Sequence, residues 1–187
     1  MKRNLVKEGF KWVGFLIVTH IAAMVMFGLF LSNGVAEASE TNVAAMAKSI
    51  AVFDVVLCIV FVLVYSKIES SYIEYRKAIK DSLRKPGFSI IKHWINEHVK
   101  EDIIKLAVFA VFQIPFMIFY SILGLDLINP TFFDQFYIFE AGFYALTKSP
   151  ILGVLLSTAV FAVIYLPIKL LFMAVTKNSV KKDMIDI

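Results

Sequence analysis

The stretch Ile151–Val175, ILGVLLSTAVFAVIYLPIKLLFMAV, contains one charged side chain, Lys169. It reaches the length of about 20 apolar residues with which a helix crosses roughly 30 Å of hydrocarbon. Three similar stretches precede it, at residues 12–31, 49–66 and 103–123. Within hydrocarbon only helices or closed barrels satisfy their own backbone hydrogen bonds. The expected fold is therefore all-α: a polytopic membrane protein built as a four-transmembrane-helix bundle. Composition agrees, since 59% hydrophobic and 18% charged residues with a mean hydropathy of +0.77 are too apolar for a soluble chain with a small core. The 187 residues leave room for a single integral membrane domain and none for an appended soluble enzyme domain. Cys58, the only cysteine, falls in the second stretch, where core packing is the expected role.

Basic residues orient the spans. Of 19 Lys and Arg, Lys2, Arg3, Lys7 and Lys11 precede the first stretch, nine lie in the loop Lys67–Lys105, and Lys177, Lys181 and Lys182 follow the fourth. The two remaining loops carry only Lys48 and Lys148. Positive loops stay cytoplasmic, so both termini and the central loop face inward and the membrane is expected to be of bacterial cytoplasmic type. Confined to that face, the net charge of +4 points to insertion and anionic lipid, not to nucleic acid. Ala36-Glu37-Ala38 has the A-x-A form of a signal-peptidase site. The preceding apolar stretch exceeds the ~7–15 residues of a signal core, so retention as a span is the expectation.

The connecting segments have patterns of their own. Beyond Ser66 the second span is expected to continue as an amphipathic helix with Ile68, Tyr72, Tyr75, Ile79 and Leu83 on one stripe, ended by Pro86-Gly87. Ser89 can cap a second helix that groups Ile90, Ile91, Trp94, Ile95 and Val99 and runs into the third span. Together they form a cytoplasmic helical hairpin over residues 67–102, whose second stripe is a candidate docking face for a partner or for lipid headgroups. Residues 125–148 are rich in Phe and Tyr after Asn129-Pro130, which predicts an outer interfacial helix. Ser149-Pro150 supplies the cap and first-turn proline of the fourth span. There Gly153 with Ser157, and Thr158 with Ala162, form small-xxx-small pairs suited to close packing against a helix of this chain or of a second copy.

His20, Asp54, Gln113 and Lys169 fall in the four different spans, and such groups usually face a bundle interior. At about 1.5 Å per residue three of them share one depth, with Asp54 one to two turns further out, within reach of Lys169 or His20. Such a cluster either relays protons or holds helices in register, and Lys169 can alternatively snorkel to the inner headgroups. Pro115 and Pro167, at matching depth, permit kinks. No G-x-S-x-G elbow, Walker loop or H-E-x-x-H pair is present. His93 and His98 lie about 140° apart on an α-helix, which places them apart and exposed; His98 and Asp102 suit a surface pair. No catalytic residue, cofactor or metal is expected. The expected function is that of a non-enzymatic membrane subunit or scaffold, in contact with the lipid bilayer and with a membrane-protein partner or further copies of itself. The alternative is a small-solute or proton-coupled ion transporter.

Overall fold

A computed structural model of the protein describes residues 5–32, 40–122, 143 and 146–185, and these form helices and short connections only. The helices are α1 (Leu5–Ser32), α2 (Glu40–Ser70), α3 (Ile73–Leu83), α4 (Ile90–His93), a π-helical turn (Trp94–His98), α5 (Val99–Ile122) and α6 (Pro150–Ile185). Among the described residues α6 alone is long and apolar enough to cross a membrane; Val55–Ser70 and Ile73–Leu83 pass the same criterion only as one bent span. The aromatic segment expected as an outer interfacial helix, residues 125–148, lies almost wholly outside the described residues.

Two compact units divide the chain. The first comprises Met1–Cys58 and Ile104–Phe161. Its core is aromatic: Trp12 meets Phe161 at a ring separation of 5.0 Å and Phe109 edge-on at 6.0 Å, and Phe109 and Phe161 lie 4.6 Å apart. Met117, Val154 and Cys58 are buried in the same unit. The approach of α1 to α5 is close enough to require glycine, since a Cβ on Gly9 would stand 2.5 Å from Val108 Cγ1.

The second unit comprises Ile59–Ile103 and Ala162–Ile187. Tyr75, Ile79 and Met173 form its apolar core, with Leu83, Ile90, Trp94 and Leu170 packed around them. The helix expected to run unbroken through Ser66 and Tyr72 is in fact broken, and the segments on either side bend by 67°. Serine chemistry is the cause. Ser70 Oγ and Ser71 Oγ both donate to the Lys67 carbonyl, at 2.9 and 2.8 Å, and Tyr72 adopts an extended backbone before α3 begins. Hydroxyls that bond back one turn bend helices, and two in succession end this one. Ile68 and Tyr72 are consequently exposed, while Tyr75 and Ile79 are buried.

Gly87 closes the turn after α3 with φ of 71°, a left-handed conformation that favours glycine. Ser89 occupies the position before α4, but its hydroxyl makes no capping bond. From Ile90 the chain stays helical to Ile122, as the pattern predicts, except that one turn widens to π form. Pro115 and Pro167 sit inside α5 and α6, and neither helix ends at its proline. Ser149 precedes α6, whose first residue is Pro150, and its hydroxyl makes a long 3.5 Å contact with the Leu152 amide.

The glycine crossing in the first unit is directly testable. Gly9→Ala is expected to lower stability by about 1–3 kcal/mol through overpacking against Val108. Adding Val108→Ala should restore most of that loss, as read by thermal unfolding.

Candidate functional site

Lys169 is the anchor of the most polar buried site. It lies on the buried stripe of α6 with Tyr165 one turn before it and Met173 one turn after, and its side chain is 3% exposed. The ammonium reaches both carboxylate oxygens of Asp102, at 2.6 and 2.8 Å, and Glu69 Oε1 at 3.7 Å. Tyr165 Oη lies 3.1 Å from Asp102 Oδ1 and 3.2 Å from Glu69 Oε2, so its single proton serves two acceptors. Trp94 Nε1 donates to Asp102 Oδ2 at 2.8 Å. The cluster thereby joins the end of α2, the π turn, the start of α5 and the middle of α6, all within the second unit.

Its physical character follows from burial. Ionised groups removed from water must be paired and hydrogen-bonded, and both oxygens of Asp102 are engaged by charged or polar donors. The buried carboxylates among the described residues are Glu69 and Asp102, and the buried ammonium groups are Lys105 and Lys169. The pairing of Lys169 with Asp102 and Glu69 fixes the rotational register of the segments that carry it, because turning any one of them leaves a charge unpaired in an apolar surround.

The sequence-predicted polar residues divide. Among the described residues Lys169 pairs with Asp102 and Glu69. The side chains of His20 and Asp54 lie outside the described residues. Gln113 belongs to the first unit, where its Nε2 donates to Thr158 Oγ1 at 3.2 Å and its Oε1 accepts from Ser157 Oγ. Two of the small residues on α6 thus meet a polar side chain of α5 in this same chain, and Gly153 is buried beside them in sequence while Ala162 is half-buried. Gln113 and Lys169, expected at one depth, are each satisfied by partners in their own unit.

The hairpin holds the largest departure from expectation. A π turn bonds residues five apart, so it carries His98 round toward the face of His93, and their rings lie 5.1 Å apart edge to face. Both are buried, not exposed, and His98 stands 3.9 Å from Glu101 while Asp102 turns inward to Lys169. Ser82 Oγ lies 3.2 Å from His93 Nδ1, and neither histidine Nε2 has a hydrogen-bond partner among the described residues. Burial, reinforced by His98, pushes the His93 pKa below 6.5; Glu97 opposes the shift and Lys85 adds to it. The expected docking stripe is divided by the same turn: Ile90 and Trp94 pack on the Tyr75 core, Val99 is half-buried, and only Ile91 and Ile95 remain exposed. Among the described residues no group of three or more His, Cys, Asp or Glu could hold a metal.

Sequence reasoning gave Trp94 to the docking stripe and Asp102 to a surface pair with His98, and it passed over Glu69 and Tyr165 as site residues. A usable signal existed, in that Glu69 and Asp102 each adjoin the end of an apolar stretch, and Tyr165 and Lys169 are spaced one turn apart.

Two outcomes follow from this geometry. Asp102→Asn or Lys169→Met alone should destabilise by about 3–5 kcal/mol, by leaving a buried charge unmatched, and the double variant should recover part of the loss. Denaturant titration followed through tryptophan fluorescence measures both. For His93, the unfolded chain binds a proton at 6.5 while the folded chain resists it. Stability contributed by the neutral ring is therefore full above 6.5 and is lost as pH falls below that value toward the lowered folded pKa. Thermal midpoints should drop over that window in wild type, and His93→Gln should flatten the slope.

No protein-family model, curated protein or solved structure matches the chain, so the chemistry of these side chains is the ground for any functional reading.

Proposed function

We propose that this chain is a multi-pass integral membrane protein, with both termini and the helical hairpin cytoplasmic, acting as a non-enzymatic subunit or scaffold through helix–helix contacts. The observation that carries the reading is the large exposed apolar surface of α6 beside its buried polar groups. Ile151, Leu155, Val163, Leu171 and Val175 are exposed on it by 57–73%, while Ser157, Tyr165, Lys169 and Thr176 are buried. In water such an arrangement leaves these aliphatic side chains solvated while it desolvates the helix's few polar groups. In hydrocarbon it is the arrangement of lowest free energy, because lipid solvates the aliphatic surface and the polar groups find partners inside. The basic residues at both ends and in the hairpin supply the matching inner boundary. The buried pairing of Lys169 with Asp102 and Glu69 supports a register-holding role for the charge cluster.

A proton-coupled transporter is the second reading, favoured by the buried carboxylates and phenol gathered around one ammonium. Both readings require the chain to resist alkaline carbonate extraction, and single cysteines replacing Lys85 and Asp134 should label from opposite faces of the membrane. Labelling from one face would overturn the four-span topology. In reconstituted vesicles, the scaffold reading expects no proton or ion flux in wild type or in Asp102→Asn. Flux in wild type that vanishes in folded Asp102→Asn would establish the transporter instead.

A further inference from the structure

The turn between α3 and α4 walls a cavity of about 160 Å³, several times the ~30 Å³ that a water occupies in the liquid. Lys85, Lys92, Ser82, Ser89 and Asn96 are among the residues that line it. Glu97 is the one acidic residue lining it. The wall is shaped by the left-handed Gly87, which reverses the chain so that residues on both sides of the turn face one space. Phe88 forms an apolar side, and its ring is covered by the Lys177 ammonium at 5.3 Å, so a third cation stands at this end of the second unit.

His93 belongs to the same wall and is only 6% exposed. Ser82 Oγ lies 3.2 Å from His93 Nδ1, and Nε2 is buried with no hydrogen-bond partner among the described residues. Two lysines, two serines and an asparagine around one space suit an acceptor that carries several oxygens and a concentrated negative charge; lysines bind such groups as point charges without demanding planar geometry.

We propose that this cavity binds a phosphate-class oxyanion, supplied by the headgroup of an anionic phospholipid or by a soluble phosphate compound. The assignment does not rest on the membrane reading, because inorganic phosphate tests the cavity directly and extraction tests the membrane separately. If the hairpin is cytoplasmic, the anionic inner leaflet is the nearest source.

The test uses the full chain in detergent. Inorganic phosphate is titrated by calorimetry, and retention of phosphatidic acid is compared with that of phosphatidylcholine by native mass spectrometry. Wild type should bind at least one of the two phosphate probes and ignore phosphatidylcholine. Lys85→Gln with Lys92→Gln should weaken that binding by about tenfold or more. Lys77→Gln with Lys80→Gln, an equal loss of charge on α3 away from the cavity wall, should change it less than about twofold. Retention of phosphatidic acid without phosphate binding identifies the headgroup as the source, and phosphate binding without lipid retention identifies a soluble compound. Equal weakening by the two double variants, or no binding of either probe to folded wild type, overturns the site. Trp94 fluorescence verifies folding, and both substituted cavity lysines are exposed.

Discussion

The pairing of Lys169 with Asp102 is the constraint on which the second unit depends. A long apolar helix has little to tell one rotational setting from another, because aliphatic side chains fit many neighbours nearly as well. An ammonium seated 2.6 Å from a carboxylate removes that freedom. Any rotation of α6 that separates the two leaves both charges stripped of water, a penalty that exceeds what repacked leucines return. Tyr165, Glu69 and Trp94 extend the constraint to neighbouring segments, since each is bonded to an atom already fixed by the central pair. In the first unit Gln113 has the weaker, uncharged version of this role, held between Ser157 and Thr158.

Much of the helical architecture was legible from residues alone. The beginning of α6 at Pro150, the helix running from Ile90 past Ile103, and the turn at Pro86-Gly87 all follow from local chemistry: a fixed proline φ, a continuous apolar run, and a glycine where φ is positive. Legibility failed where short-range polar bonds compete with the helix. Ser70 and Ser71 look innocuous beside Pro115 and Pro167, yet the serines end a helix and the prolines do not. A proline inside a packed helix loses one backbone bond and is held by its neighbours, whereas two hydroxyls that capture the same carbonyl offer the chain a ready alternative to the next helical turn.

The site was half legible for a related reason. Lys169 stood out because a charge amid apolar residues is conspicuous, and Gln113 for the same cause. Their partners did not stand out: Glu69 and Asp102 lie among many other charged residues near the ends of apolar stretches, where solvent is the default company. Only the three-dimensional arrangement distinguishes an acid facing inward from one facing out. His93 and His98 were misplaced by a sound calculation on the wrong helix, since the angle between residues five apart depends on α geometry that this segment does not keep.

That widened turn has a further consequence for how the sequence can vary. It accommodates one residue more than an ordinary turn would, and each residue of an α-helix advances the azimuth by about 100°. Upstream of it Ile90 and Trp94 are seated on the hairpin core; downstream Asp102 is aimed at Lys169. Both alignments hold at once only because the surplus residue absorbs the difference in phase between them. The number of residues over 94–98 is therefore fixed: shortening the segment by one would yield a more regular helix and a carboxylate pointing the wrong way.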